Sequence, residues 1–447
     1  MNREGKLFTK KYNDIFIPLI IEQIFLTLIG NFNVFLFSLF NDQMVATIGI
    51  SDRLLTIFTM LTNVVVLGAS ILIIQNADES RIEYVKSIFK ESIVLNLFIA
   101  GLIIIAVFAF NRDLLILMQT PSELVEEASA YIRIVSISIV FTAMTSLMLA
   151  TLRAFGFVKI AVRISVANTI LVIIANSIIV LAKLGGISYI AIATLFTRLI
   201  SMLITFITIK RRIPILFAGG KIKNISLKKE ILSLGIPSAM EQISYNFSHT
   251  IITAIIASLG TIAVSSMIYT TTITSFIFSI GVAAGVTGNL IIGDLYRNKD
   301  FDVIKDFGVL NAKKISLIAG AINLIVAIFG KYLVRIFTDN SQIISIVTVL
   351  LFLQIFHDPM RVANEILINS LNVVKDVRYP VIVGISTTYL LVIPLAYLFV
   401  TKLGLDLKYL WLVFIIDEST RRFLFTRRFK SGKWIKINEV DHGNEIY

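Results

Sequence analysis

The sequence predicts an all-α integral membrane protein with about twelve transmembrane helices in two six-helix lobes. The first observation is composition: 56% of the residues are hydrophobic and 16% are charged, whereas ordinary soluble domains contain about 25% charged residues. The second is an internal repeat, in which IPLIIEQI at 17–24 returns as IPSAMEQI at 236–243. Two similar apolar halves predict two similar membrane lobes with a cleft between them, as in a transporter.

Apolar stretches of about 20 residues, the length that crosses a bilayer as a helix, follow one another along the chain. The first begins after a polar, basic segment that ends at Asn13, so no cleavable signal peptide is expected. The predicted spans are 14–38, 44–75, 84–110, 122–152, 159–183, 187–210, 230–258, 262–294, 302–330, 342–371, 378–401 and 406–426.

The basic residues predict how these spans are oriented and divided. Lys and Arg concentrate at the amino terminus, in the central polar stretch, in the tail and in loops after even-numbered spans, so both termini are predicted to be cytoplasmic. The predicted domains are an N-terminal six-helix lobe at 1–212, a cytoplasmic linker at 213–225 and a C-terminal lobe with a basic cytoplasmic tail at 226–447. Six spans in each lobe make the two repeats parallel, related by a pseudo-two-fold axis along the membrane normal.

Composition also argues against several classes of function. The chain has no cysteine and three histidines, which excludes thiolate chemistry and disfavours a histidine-rich metal site. The net charge of +12 follows the predicted topology, so we expect no nucleic-acid partner. The sequence contains no GxxxxGK[ST], HExxH or GxSxG motif, so we expect neither an ATPase nor another enzyme, and no cofactor.

Several motifs, taken in order, resemble those of the multidrug and toxic compound extrusion (MATE) family, and in particular of its Gram-positive members. The resemblance covers nearly the whole chain, and it depends on the order and spacing of the motifs together. The stretches that carry it are NDQMVATIG at 41–49, GIPSAME at 235–241, LGTIAV at 259–264, DPMRVAN at 358–364 with KDVRYP at 375–380, and the segment from Asp417-Glu418 and Arg421-Arg422 to KSGKW at 430–434.

This resemblance implies two six-helix lobes around a V-shaped cleft and export of organic, often cationic, compounds in exchange for Na⁺ or H⁺. It also exposes two departures. The first-helix carboxylate that many relatives use as a cation-site residue falls at Asn33, and some relatives have an acid where this chain has Arg361. The identity of the coupling ion therefore stays open between H⁺ and Na⁺.

Charged residues inside a bilayer are costly and usually functional, which makes Glu241 the first candidate for ion coupling. It follows Pro237 by one helical turn, and a proline there frees a backbone carbonyl that can join a carboxylate around Na⁺. The alternative is a solvated glutamate near the cytoplasmic end.

Glu22 is the repeat mate of Glu241, and the symmetry of the two repeats alone could retain it. Asn33 could bind a cation or substrate, or could form only an interhelical hydrogen bond.

The densest polar cluster inside a predicted span surrounds Asp358. Asp358 and Arg361 lie within one helical turn and could form an ion pair, or Arg361 could pair with Glu365. A functional Asp358 would provide a second possible Na⁺ or H⁺ site, whereas a structural pair would only brace the bend at Pro359. Asn364 is the remaining candidate in this span.

A stripe on the seventh predicted span completes the candidate site. Glu241, Tyr245 and His249 follow one another at regular helical spacing, i, i+4 and i+8, so they share one helix face. Such a face could line a cavity and stack on an organic cation, or it could be ordinary packing with internal hydrogen bonds. Gly281 and Gly285 in the eighth span have GxxxG spacing, which predicts close helix packing.

Together these observations predict a secondary antiporter that exports organic small molecules, in the bacterial cell membrane, with the lipid bilayer and a small-molecule substrate as its partners. We expect a monomer. The alternative is a flippase for a lipid-linked saccharide or cell-wall precursor of the same superfamily. Such a carrier would need more cations along its cavity to hold phosphates, and Arg361, Arg133 and Arg198 are the candidates.

Overall fold

A computed structural model describes residues 3–38, 42–118, 120–182, 186–218 and 225–435. These residues are almost entirely helical and include no strand. The helices are α1 (Arg3–Ser38), α2 (Asp42–Asn76), α3 (Ile82–Leu117), α4 (Ser122–Ala154), α5 (Val158–Leu181), α6 (Ile187–Arg212), α7 (Ile225–Ala257), α8 (Thr261–Arg297), α9 (Phe301–Ile328), α10 (Gly330–Arg335), α11 (Ser341–Val373), α12 (Arg378–Thr387), α13 (Ile393–Tyr397) and α14 (Leu407–Lys430).

The repeat in the sequence is also a repeat of helices. Helices α2, α3 and α4 begin at Asp42, Ile82 and Ser122, and their counterparts α8, α9 and α11 begin at Thr261, Phe301 and Ser341, with the same offset in all three pairs. Helices α5 and α6 are related to α12 and α14 by an offset that is longer by a single position. The prediction of an all-α fold built from two similar halves is confirmed.

Nine of the helices in the described ranges are long and apolar enough to cross a membrane. Their outward surfaces carry large apolar side chains, such as Leu117 at 80% and Leu390 at 79% exposure. Water would make such a surface unfavourable, whereas lipid tails are as apolar as the side chains themselves. The architecture is therefore that of a polytopic membrane protein.

Local chemistry explains where the helices bend or change geometry. Pro18, Pro237 and Pro359 lie inside α1, α7 and α11, and each removes one backbone hydrogen bond from its helix. Helix α3 breaks at Phe110, whose φ is −126°, and the turns after this break correspond to α10 in the second repeat. A π-helical turn at Thr388–Val392 separates α12 from α13.

The chain forms two compact units whose borders fall inside α1 and α7, next to their prolines. One unit comprises Met1–Ile24 with Met240–Tyr447, and the other comprises Phe25–Ala239. The lobe and linker boundaries expected from the charge pattern, at 212 and 226, stay a prediction.

In the unit of Phe25–Ala239, the first half of α7 packs tightly on α2 and α3. A Cβ atom added to Gly68 would lie 2.0 Å from the backbone oxygen of Ile231, and one added to Gly235 would lie 1.9 Å from that of Val64. Tyr84 also donates to the carboxylate of Glu230 at 2.8 Å. The glycines therefore allow two helix backbones to touch.

In the other unit, α8 packs on α11 through its glycines. A Cβ atom on Gly281 would lie 3.2 Å from Cα of Val362, and one on Gly285 would lie 2.9 Å from Nδ2 of Asn369. The close packing predicted from the GxxxG spacing is confirmed. Val362 and Asn369 of α11 therefore lie beside α8, and α11 also packs on α9 and α14.

Candidate functional site

A cavity opens within the unit that contains the second repeat, among α7, α8, α11, α14 and the π-helical turn. One end is aromatic and apolar, and the other end is charged. The aromatic part consists of Tyr245, His249, His357, Trp411 and Phe414. The charged end consists of Arg361, Asp417, Glu418 and Arg421, together with the hydroxyl of Thr388.

Arg421 organises the charged end from the middle of α14. Its guanidinium donates to Asp417 at 2.9 Å, one turn earlier on the same helix. It also donates to the hydroxyls of Thr387 at 2.8 Å and Thr388 at 2.5 Å, and to the backbone oxygen of Gly384 at 3.2 Å. Both members of the ion pair are buried. A fixed guanidinium with several hydrogen bonds neutralises Asp417 and joins α14 to the end of α12.

Glu418 and Asn364 connect α14 to α11 at the same level. The side-chain amide of Asn364 donates to the carboxylate of Glu418 at 2.7 Å and to its backbone oxygen at 2.8 Å. The next residue of α11, Glu365, accepts at 2.8 Å from Asn369, which lies one turn further along, and Asn369 accepts from Asn289 of α8 at 3.0 Å. Amide groups therefore hold both glutamates, and neither has an ion pair among the described residues.

Glu241 lies next to this group of charges. It is half-buried, one turn after Pro237, and its Cγ is 3.8 Å from the point that a Cβ on Gly384 would occupy. Nη1 of Arg421 is equally far from that point. The carboxylate of Glu241 interacts electrostatically with Glu365, Arg421 and Glu418. The missing side chain at Gly384 leaves room for these groups to approach.

Arg361 and Asp358 do not form the ion pair that their spacing suggested. Arg361 extends toward α7 and α8, where it donates to the hydroxyl of Tyr245 at 3.1 Å and lies 3.9 Å from the ring centre of Phe278. Asp358 is buried, and its Oδ1 contacts Nδ1 of His357 at 3.1 Å. Two aromatic rings offer the guanidinium a cation–π environment that competes with the carboxylate one turn away.

The structure brings most of the predicted site residues into one region. Tyr245, His249 and Arg361 line the cavity, and Asn364 bonds to a residue that lines it. Glu22 is buried in α1 one turn after Pro18. Asn33 falls in α1, but its side chain lies outside the described part of the chain.

Sequence reasoning did not select three charged residues that prove central, Asp417, Glu418 and Arg421. All three fall within the predicted span 406–426. The criterion that selected Glu241 and Asp358, a charged residue inside an apolar span, applies equally to them. Their hydrogen-bond partners on α11 and α12 come from distant parts of the chain. Such contacts cannot be predicted from a short sequence motif.

Two acceptor atoms at this end have no hydrogen-bond partner among the described residues: Oδ2 of Asp358 and Oδ1 of Asn364. Carboxylate and amide oxygens are the ligands that hard cations prefer, and a carboxylate can alternatively take a proton. No group of three or more His, Cys, Asp or Glu in the described part of the chain has the arrangement of a metal site.

Repeated helices with a charged cavity inside an apolar bundle define a polytopic membrane carrier. The sequence profile of the MatE family matches residues 18–178 and 237–398, one match in each repeat. The chain therefore belongs to the MatE family of transporters, as its motifs suggested.

Individual relatives agree with this assignment. The chain is 29% identical over 425 residues to the "Uncharacterized transporter YisQ" of Bacillus subtilis, covering 94% of this chain and 93% of that protein. It is 23% identical over 406 residues to the "Probable multidrug resistance protein NorM" of Thermotoga maritima, covering 87% and 85%. The structure of a MOP superfamily transporter from Pyrococcus furiosus has the same fold, with a TM-score of 0.81, 18% identity, and coverage of 95% and 96%.

Proposed function

We propose that this protein is a secondary antiporter that exports amphipathic organic small molecules, often cationic ones, in exchange for H⁺ or Na⁺. The observation that carries the proposal is the imbalance of charge at the inner end of the cavity. Glu241, Glu365 and Glu418 interact electrostatically with one another, and Asp417 already neutralises one of the two arginines beside them, Arg421. Among the described residues, Arg361 is then the single remaining cation for three carboxylates. An unbalanced group of carboxylates inside a membrane protein attracts a cation, whether a proton, a sodium ion or an organic molecule.

In this account, Glu241 is the ion-coupled carboxylate and Asp358 the second candidate. Glu241 follows Pro237 by one helical turn and has negative charges as neighbours, so a bound cation lowers their mutual repulsion. For Na⁺, the oxygen of Asn364 that lacks a partner among the described residues would supply an additional ligand. For H⁺, the carboxylates alone suffice.

The aromatic part of the cavity suits the organic cargo. Tyr245 and His249 have ring centres 6.3 Å apart, and those of Trp411 and Phe414 are 5.5 Å apart. Flat apolar surfaces next to carboxylates favour amphipathic cations. The name of the Thermotoga relative, a "Probable multidrug resistance protein", supports cargo of this class. Coupling then requires that the ion and the cargo differ in affinity for two conformational states.

The proposed setting is the bacterial cell membrane, with a monomer whose two termini lie in the cytoplasm. The competing hypothesis is a flippase for a lipid-linked saccharide or cell-wall precursor. It would need free cations for phosphates, whereas Arg361 and Arg421 are both occupied by contacts within the protein. The excess of carboxylates therefore favours export of cations.

The test uses purified protein in liposomes, with a pH gradient and a Na⁺ gradient imposed separately while ethidium uptake is followed by fluorescence. We expect one of the two gradients to drive uptake that collapses when that gradient is dissipated. A labelled lipid-linked saccharide is assayed in parallel for movement between leaflets. Saccharide movement without gradient-driven ethidium uptake would overturn the proposal and favour the flippase.

A further inference from the structure

Three polar side chains lie away from the charged end, in the apolar half of the cavity region: Thr274, Gln354 and Trp411. Each is at most 3% exposed. Gln354 donates from Nε2 to the hydroxyl of Thr274 at 3.3 Å. Its Oε1 and the indole N–H of Trp411 have no hydrogen-bond partner in the described part of the chain. Both Gln354 and Trp411 line the cavity.

The first repeat shows that the fold does not require polar residues here. We aligned α8, α11 and α14 from their first residues with α2, α4 and α6. In this alignment Thr274, Gln354 and Trp411 correspond to Leu55, Val135 and Ala191, respectively. All three belong to a buried apolar core. A buried polar atom without a partner is costly, and native proteins retain few of them. The second repeat therefore carries a polar group that packing alone does not explain.

We infer that Gln354 and Trp411 form a second subsite, which binds a neutral hydrogen-bonding group of the cargo. The indole N–H only donates, and the amide oxygen only accepts. A group that does both, such as a hydroxyl or a carboxamide, satisfies the two atoms together. The inference rests on the proposed function, because it takes the cavity to be the cargo site.

The geometry of α14 sets the distance between the two subsites. Trp411 precedes Glu418 on this helix by roughly two turns, which is about 10 Å along a helix axis. The rings of Phe414 and His357, with centres 6.4 Å apart, line the region of the cavity between them. The favoured cargo thus carries a cation at one end, an aromatic or apolar body, and a neutral polar group about 10 Å away.

The test compares two probes that differ by one group, octyltriphenylphosphonium and 7-hydroxyheptyltriphenylphosphonium, in which a hydroxyl replaces the terminal methyl. Their dissociation constants are measured by calorimetry on the full-length protein in nanodiscs. The variants are Gln354→Val, which copies the first repeat, and Trp411→Phe, which keeps a ring but removes the donor. Asn323→Leu is the matched control, because Asn323 is a fully buried amide on α9 that does not line the cavity.

We expect the native protein to bind the hydroxyl probe about threefold to tenfold more tightly than the octyl probe, as one satisfied hydrogen bond predicts. Each cavity variant should lose this preference while retaining its affinity for the octyl probe, and Asn323→Leu should keep the preference. If both probes bind but the preference is absent, or survives both substitutions, the subsite is overturned while the cation site stands. If neither probe binds the native protein, the proposed function fails, and the subsite with it.

Discussion

The side-chain amide of Asn364 donates to the carboxylate of Glu418 at 2.7 Å and to the backbone oxygen of the same residue at 2.8 Å. This double contact connects the middle of α11 to the middle of α14, beside the cavity. The equivalent of Asn364 in the first repeat is Thr145, which cannot provide two amide hydrogens. The connection is therefore specific to the second repeat.

Substituting Asn364 tests this connection. Asn364→Ala leaves the half-buried carboxylate of Glu418 without its donor, so we expect a loss of about 1 kcal/mol in the free energy of unfolding, together with weaker ion coupling. Thermal unfolding in detergent measures the first effect, and gradient-driven ethidium uptake measures the second. Thr145→Ala is the matched control in the first repeat. Equal losses in both variants would show that the contact has no special role.

Variants of the ion pair between Arg421 and Asp417 test whether this buried pair stabilises the second repeat. Arg421→Met leaves Asp417 buried without its cation, and breaking one side of a buried pair costs about 3–5 kcal/mol. The double variant Arg421→Met with Asp417→Asn removes both charges, so we expect it to recover part of that loss. Thermal midpoints of the single and double variants measure the coupling energy. Strictly additive losses would contradict the proposed pairing.

Glycines of α2 provide a test of helix packing. A Cβ at Gly68 would lie 2.0 Å from a backbone oxygen of α7, whereas a Cβ at Gly49 of the same helix meets nothing within 4 Å. We therefore expect Gly68→Ala to destabilise the protein by more than about 1 kcal/mol, as overpacking does, and Gly49→Ala to be neutral or slightly stabilising. Thermal unfolding of the two variants decides the matter. Similar midpoints would mean that the two backbones do not touch.

Much of this fold is predictable, because membrane helices are set by local properties. Apolar length predicted most helix ends to within several residues, although α1 begins at Arg3 and the first predicted span at 14. The recurrence of Pro18 as Pro237 with its following glutamate revealed the duplication. The division of the chain inside α1 and α7 was not predicted. It depends on where Gly68 and Gly235 allow backbones to meet, and that is a property of the packed structure.

The site was predictable only in part, for a similar reason. The apolar surroundings of Glu241 and the stripe through Tyr245 and His249 are visible in one helix at a time. The contacts of Arg361 could not be predicted in this way, because Tyr245 and Phe278 come from two other helices. Charged side chains one helical turn apart can always form an ion pair. Whether they do so depends on side chains from other helices that compete for the same contacts.

We propose that a carboxylate of the second repeat, Glu241, couples transport to the ion. The most direct test measures gradient-driven ethidium uptake in liposomes for Glu241→Gln and for Glu22→Gln, its repeat mate. First-repeat counterparts of Asp358 and Arg361 are Ile139 and Thr142, which provide no charge. We therefore predict that Glu241→Gln abolishes gradient-driven uptake but still binds ethidium, and that Glu22→Gln continues to respond to the gradient. Coupled uptake that persists in Glu241→Gln and disappears in Glu22→Gln would contradict the account.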